Sequence, residues 1–193
     1  RDGSRRVRVA ARVRALRRTL ALVLAAAGVA RSERVFVFAP CLDRPGAVQA
    51  ALQSRWQGGE VVVFGRLADF SAMVEESPPD VIVAPRPLVE RFAAFRTFLR
   101  GTRKGATSEE AVLVSRRPIE AENIPGLSVG VVGILERAQL AGLVRQALGA
   151  QPRIKVVTKL EDLLPLLTFG SADALLVGEG QAEEIRARSQ AQL

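Results

Sequence analysis

The chain has 193 residues and a formal net charge of +8, and it contains no histidine and a single cysteine, Cys41. Without histidine it cannot build a Ser-His-Asp or Cys-His catalytic site or a Cys/His zinc site. The charge is concentrated at the start: residues 1–18 hold eight arginines and one acid, and the remainder holds 20 basic and 19 acidic side chains. A folded body this close to neutral does not favour nucleic-acid binding.

The first 30 residues have the pattern of an export signal. An arginine-rich stretch is followed by the uncharged apolar run LALVLAAA at residues 20–27 and by small residues up to Ala30. This order matches a signal peptide, and the run is shorter than the roughly 20 residues that a membrane span needs. We therefore predict that residues 1–30 direct export and that the mature protein is periplasmic. The alternative is a basic amphipathic helix that belongs to the fold or lies on a membrane.

Beyond residue 30, short apolar runs alternate with helical patterns. This alternation predicts parallel sheets flanked by helices. The predicted strands are residues 34–39, 60–64, 81–84, 111–115, 127–132, 154–158 and 174–177, and the predicted helices are residues 47–56, 67–76, 88–99, 136–148, 160–169 and 182–188.

The order of strand and helix occurs twice, at a spacing of 93 residues. This spacing relates Leu67, Asp69 and Asp80 to Leu160, Asp162 and Asp173, and it places residues 35–39 on residues 128–132. A repeat of this length indicates two similar lobes rather than a solenoid. We predict lobe one at residues 31–115, a linker at residues 116–126 and lobe two at residues 127–193. Asp80 and Asp173 each precede a buried strand, and we expect both to bond backbone N–H groups there.

Ligands of open parallel sheets bind beyond the carboxyl ends of the strands, where helices begin. This rule selects the loops at residues 40–46, 84–88, 133–136 and 178–181, which would face each other across a cleft. We expect Arg86 to be the main charged partner, because a guanidinium group can hold an anion with two bonds. The G-x-x-G spacing at residues 130–133 does not match a dinucleotide-binding loop, and no cofactor or metal is predicted. The predicted ligand-binding residues are Arg86, Arg44, Asp43, Cys41, Gly133, Ile134, Glu136 and Glu179.

Three segments carry a resemblance to a known family: DVIVAPRPLVERF at residues 80–92, AVLVSRRPIEAENIPGLSVGVVG at 111–133 and LEDLLPLLTFGSADALLV at 160–177. With them, residues 31–193 resemble the type 2 periplasmic solute-binding proteins of ABC transporters, closest to the phosphate, phosphite and phosphonate branch. The resemblance implies two α/β lobes joined by crossover strands, which close on a small ligand and deliver it to a membrane permease. The return of the chain to lobe one, also implied, is missing from this sequence. The hydroxyl and tyrosine positions of that branch have no counterpart, since Gly133-Ile134-Leu135 opens the second lobe and the chain has no tyrosine.

We therefore expect a monomeric binding component of an ABC importer, not an enzyme, that captures a small anionic or zwitterionic ligand resembling phosphonate or phosphate. Glu136 and Glu179 would suit the amino group of a zwitterion. One alternative is a reduced family member that acts as a sensor or scaffold. Another is the effector-binding part of a transcription regulator, which would need a DNA-binding helix-turn-helix that residues 1–30 are too short to supply.

Overall fold

The computed structural model describes residues 34–102 and 105–188, so the predicted export signal lies outside the described residues. The first lobe is an alternation of strands and helices, and the last of its helices has only one turn. Its elements are β1 (Arg34–Phe38), α1 (Pro45–Gln53), β2 (Glu60–Phe64), α2 (Leu67–Glu76), β3 (Val81–Val83) and α3 (Arg86–Val89).

The second lobe repeats this alternation after one additional strand. Short 3-10 turns occur at Ala121–Gly126 and Leu160–Asp162. Its strands and helices are β4 (Ala111–Ser115), β5 (Ser128–Val132), α4 (Arg137–Leu148), β6 (Arg153–Val157), α5 (Leu163–Thr168), β7 (Ala174–Gly178) and α6 (Glu179–Arg188).

Each lobe is built on its own sheet. The first has the strand order β2-β1-β3 and is parallel throughout. The second has the order β4-β7-β5-β6, in which only the β4–β7 pair is antiparallel. The predicted fold class, two similar α/β lobes with parallel-rich sheets, is confirmed.

The additional strand β4 belongs to the second sheet. All five of its residues pair with β7, from Ala111 opposite Gly178 to Ser115 opposite Ala174. The sequence predicts this strand as part of lobe one, but its pairing with β7 places it in the second sheet. The apolar pattern of residues 111–115 identifies a strand, but its partner lies some 60 residues further on, which a local pattern cannot show.

The predicted helix at residues 88–99 is also wrong. Helical structure ends at Val89, and the N–H groups of Phe92 and Phe95 donate to carbonyls only three residues earlier. Both rings pack against a cluster that includes second-lobe side chains. Tertiary packing therefore prevails over helix propensity in this segment.

One hydrophobic cluster, here called the shared cluster, joins the two lobes. From the first lobe it contains Phe36 and Phe38 of β1, Phe70 and Val74 of α2, and Leu88; from the second, Val129 and Val131 of β5, Leu135, and Leu140 and Val144 of α4. Because successive strand residues face opposite sides, Val35 and Val37 lie in a different cluster with Leu52 of α1. A third cluster packs β7 and α5 in the second lobe.

Asp80 and Asp173 make the same contact in the two lobes. A carboxylate oxygen of Asp80 accepts from the Arg34 N–H at 2.9 Å, and the Asp80 N–H donates to the Arg34 carbonyl at 3.1 Å. Asp173 and Ser128 form the equivalent pair, at 2.7 and 2.8 Å. The expected structural role of both aspartates is confirmed.

The equivalence of these pairs corrects the repeat by one residue at its first strand. Arg34 corresponds to Ser128, a spacing of 94, whereas Asp80 and Asp173 keep the spacing of 93. The strand pairing agrees, since Val35 lies opposite Val81 and Val129 lies opposite Ala174.

We predict that Asp173→Ala lowers the free energy of unfolding by about 1 kcal/mol, the typical net value of one side-chain–backbone hydrogen bond. Urea denaturation followed by circular dichroism measures the loss. Asp173→Asn is the matched control, because its carbonyl oxygen can still accept from Ser128, and it should lose less. Equal stability of Asp173→Ala and the parent would contradict the role assigned here.

A second prediction concerns Gly130, which lies inside β5. A Cβ atom there would be 2.9 Å from Leu175 Cδ2 and 3.1 Å from Leu166 Cδ1. We expect Gly130→Ala to destabilise the protein by about 1–3 kcal/mol through overpacking. Gly142→Ala in α4 is the control: a Cβ there meets nothing within 4 Å, so it should stabilise the helix by roughly 0.5–1 kcal/mol. Thermal unfolding of both variants tests the difference in sign.

Candidate functional site

A cavity of about 380 Å³ lies where the two lobes meet. Its wall is formed around the carboxyl ends of β1, β2 and β6. It contains Cys41, Asp43 and Pro45 from the loop after β1 and the start of α1, Val63 and Phe64 from the end of β2, Gly65, Arg66 and Asp69 from the turn into α2, and Lys159, Leu160 and Glu161 from the turn after β6. The carboxyl ends of strands from both lobes therefore form one pocket, which is where ligands of parallel sheets bind.

The polar wall of this cavity combines one ion pair from each lobe. Arg66 Nε lies 2.7 Å from an Asp69 carboxylate oxygen, and Lys159 Nζ lies 3.1 Å from a Glu161 carboxylate oxygen. Each of these side chains is about half exposed. Arg66 and Lys159 are separated by 93 residues and occupy equivalent positions, each directly before a helical turn. The cavity thus presents both signs of charge from both sides.

Sequence reasoning missed the two loops after β2 and β6. The signal was available, since the repeat aligns Arg66 with Lys159 directly before the matched residues Leu67 and Leu160. A cation at the same position of both copies therefore marks these two loops, although neither is among the loops expected to face the cleft.

Polar contacts between the lobes surround the cavity. Gln181 Nε2 donates to the Pro40 carbonyl at 3.1 Å, and Gln181 Oε1 accepts from the Gly178 N–H at 3.2 Å. One amide side chain at the start of α6 therefore links β7 to the loop after β1. In the same loop, Leu42 packs against the buried core of the second lobe.

Arg91 forms a second link between the lobes. Its Nη2 atom lies 3.2 Å from Glu136 Oε1, just before α4, and its side chain is only 26% exposed. Its Nη1 atom is buried and has no hydrogen-bond partner among the described residues. Arg91 is not part of the cavity wall, so its link to Glu136 joins the lobes outside the cavity.

The predicted site residues of the first lobe separate into two groups. Cys41 and Asp43 line the cavity, and Cys41 Sγ lies 3.6 Å from the Asp43 carbonyl oxygen. Arg44 is exposed and precedes α1, outside the cavity wall. Arg86 begins α3, and its Nε lies 2.6 Å from Glu90 Oε1, with the Arg86 side chain 69% exposed. Arg86 is not part of the cavity wall.

None of the predicted residues of the second lobe is part of the cavity wall. The Gly133 N–H donates to the Val157 carbonyl at 2.9 Å, and the Glu179 N–H donates to the Glu110 carbonyl at 3.0 Å. Ile134 packs against both the shared cluster and the core of the second lobe. Glu136 bonds Arg91 as described. Roles of these four residues in ligand binding stay predictions.

The first turn of α6 already holds a carboxylate of the protein. Glu109 Oε1 accepts from the Gly180 N–H at 2.7 Å. A Cβ on Gly178 would come within 2.5 Å of the other Glu109 carboxylate oxygen. The positive, N-terminal end of the α6 dipole is thus already occupied by the Glu109 carboxylate, and an anionic ligand would have to displace Glu109 to bind there.

Among residues 34–102 and 105–188, no group of three or more His, Cys, Asp or Glu side chains is arranged to hold a metal ion. None of the helices in the same ranges has the length and apolar character needed to cross a bilayer.

No protein-family model and no curated protein matches the sequence. Solved structures do match. The VFT2 domain of BvgS from Bordetella pertussis superposes with a TM-score of 0.55 at 19% identity, over 81% of this chain and 70% of that domain. The whole periplasmic domain of BvgS also matches, and this chain covers 33% of it.

Binding proteins give similar values. An arginine-bound ArgBP variant from T. maritima superposes with a TM-score of 0.54 at 17% identity, over 81% of this chain and 78% of that one. The substrate-binding protein of an amino acid ABC transporter gives 0.51 at 14% identity, over 81% and 74%. Identities this low carry the fold alone. The chain has the two-lobed α/β fold of Venus flytrap periplasmic binding proteins.

Proposed function

We propose that this chain is a solute-binding domain that holds a small zwitterionic ligand, such as an amino acid or an aminophosphonate, in the cavity between its lobes. The observation that carries the proposal is the composition of that cavity, which receives one ion pair from each lobe at the carboxyl ends of the strands. Its volume of about 380 Å³ lies within the roughly 300–1,000 Å³ typical of small-molecule sites.

The charges favour a zwitterion over bare phosphate. The wall holds two cations, Arg66 and Lys159, and three carboxylates, Asp43, Asp69 and Glu161. A phosphate ion could bond the cations but would lie close to the carboxylates. A ligand with both an ammonium and an acidic group can satisfy both sets. The phosphate-like ligand expected from the sequence is therefore less favoured than an amino acid.

The proposal includes export to the periplasm and delivery of the ligand by a monomer to the permease of an ABC importer. Two kinds of neighbour support it: one is described as the substrate-binding protein of an amino acid ABC transporter, and another as a periplasmic domain. The proposed activity is binding without catalysis. In line with a zwitterionic ligand, the neighbours include proteins bound to arginine and to glutamine.

A thermal-shift screen tests the ligand class. We expect at least one of arginine, glutamine, glutamate and 2-aminoethylphosphonate to stabilise the protein, whereas phosphate and sulfate do not. A ligand at 100 times its dissociation constant stabilises by about 2.7 kcal/mol. For a domain of this size that shift is roughly 5–10 °C. Stabilisation by phosphate alone would contradict the proposal, as would the absence of any stabilising zwitterion.

Calorimetry on variants tests the location of the site. Arg66→Gln and Lys159→Gln should each weaken binding of the best zwitterion about 10- to 150-fold, the equivalent of one charge-assisted bond. Arg86→Gln is the matched control and should bind as the parent does, because Arg86 lies outside the cavity wall and is bonded to Glu90. The reverse result would place the site at the loop of residues 84–88, as the sequence analysis predicted.

A second candidate function is a sensor or scaffold domain with a fixed arrangement of lobes. The shared cluster favours it, because parting the lobes would expose buried side chains such as Phe38 and Leu135. Small-angle scattering with and without the stabilising zwitterion separates the two candidates. A transporter-type domain should become more compact on binding, whereas a scaffold should keep its radius of gyration.

A further inference from the structure

A second cavity, of about 540 Å³, lies at the other end of the second sheet. Leu127 and Asp173, which precede β5 and β7, line it together with Arg116 and Arg117, which follow the antiparallel strand β4. It therefore opens at the amino ends of the parallel strands. The cavity between the lobes takes Lys159 from beyond the carboxyl end of β6, so the two cavities can be occupied at the same time.

Arg116 and Arg117 form the cationic part of this surface. Both are exposed, and their guanidinium groups form no ion pair with any of the described residues. The turn that carries them is held by the Ser115 hydroxyl, which donates to the Arg117 carbonyl at 2.6 Å. The acid in the wall, Asp173, already accepts a bond from the Ser128 N–H at 2.7 Å. Two cations on an ordered turn are thus available to an outside anion.

The apolar part of the wall consists of Ile119, Leu127 and Leu167. Leu167 is buried, and Ile119 and Leu127 are half-buried. An apolar side chain entering from outside would therefore meet hydrocarbon on several sides.

Phe169 stands beside this cavity and is 81% exposed, more than any other exposed large hydrophobic side chain among the described residues. Its backbone is fixed: the Phe169 N–H donates to the Pro165 carbonyl at 2.9 Å, and the Gly170 N–H donates to the Leu167 carbonyl at 3.3 Å. Gly170, part of the cavity wall, has φ +66°, a left-handed conformation that glycine adopts without strain. The ring is thus presented to solvent by a defined turn.

We propose that Arg116, Arg117, Phe169 and the cavity beside them form a docking surface for an acidic protein segment that also carries an apolar side chain. The segment's carboxylates bond the two arginines, its apolar side chain enters the cavity, and its backbone covers Phe169. Aromatic and arginine side chains are the ones enriched in the centres of protein interfaces. A small carboxylate would satisfy the arginines but would leave Phe169, which lies outside the cavity wall, uncovered. This proposal does not depend on the ligand of the other cavity.

Selection of peptides tests the proposal without assuming a partner. A phage library of random 12-residue peptides is selected on the immobilised full chain, and the dissociation constants of recovered peptides are measured by fluorescence anisotropy. We expect recovered sequences to be rich in Asp and Glu and to contain an apolar residue, and we expect their binding to weaken as salt is added.

Three variants locate the binding. Arg116→Glu combined with Arg117→Glu should weaken the recovered peptides at least about tenfold, and Phe169→Ala should weaken them roughly fivefold or more. Arg137→Glu combined with Arg145→Glu is the matched control: both arginines are exposed on α4, and binding should be unchanged. Equal thermal midpoints show that the variants are folded.

Several results would overturn the proposal. One is recovery of no peptide, or only of peptides without acidic residues. Another is equal binding to the parent and to the Arg116/Arg117 double variant. A third is that no peptide is recovered and octanoate stabilises the parent but not the double variant. That result would identify a site for small carboxylates instead.

Discussion

The shared cluster, which takes buried side chains from β1 and α2 of the first lobe and from β5 and α4 of the second, is the constraint on which the rest of the molecule depends. Phe36 and Phe38 turn towards the same buried volume as Val129 and Val131, although the two strands belong to different sheets. Burial of side chains of this size contributes roughly 1.5–3 kcal/mol each. That free energy holds the two lobes together and sets the relative positions of the loops that form the cavity.

The cavity owes its mixed charge to the repeat. Each lobe places a cation directly before a helical turn and an acid two or three residues later, and the two sets meet across the lobe boundary. Because each cation is already held by its own acid, the side chains lose little freedom when a ligand arrives. A ligand must therefore carry both a positive and a negative group to replace these internal ion pairs. For this reason the net charge of the sequence does not identify the ligand.

Local patterns predicted the features that depend on local physics. The strands of both sheets, the repeat and the bonding of Asp80 and Asp173 follow from apolar runs and from acids placed at strand entrances. Features set by residues distant in the sequence were missed: β4 pairs with β7, and Phe92 and Phe95 leave the helical path to pack on the shared cluster. Arg86 bonds Glu90, four residues away, and lies outside the cavity wall. Of the predicted site, Cys41 and Asp43 line the cavity, whereas Arg66 and Lys159 could be found only by comparing the two copies of the repeat.

The two copies of the repeat differ in length by one residue. The spacing between equivalent residues falls from 94 at Arg34 and Ser128 to 93 at Asp80 and Asp173, and this change locates the difference. Arg34 lies opposite Glu60 in the first sheet, but Ser128 lies opposite Arg153 in the second, so the connection between these strands is one residue longer in the first lobe. A one-residue insertion inside a strand would move every later side chain of that strand to the opposite face of the sheet. Because this insertion lies in a connection between strands, the pairing register of both sheets is unchanged. The first-lobe turn at residues 54–59, which is exposed apart from Trp56, is therefore the natural point of insertion for an affinity tag or a fluorescent label in this fold.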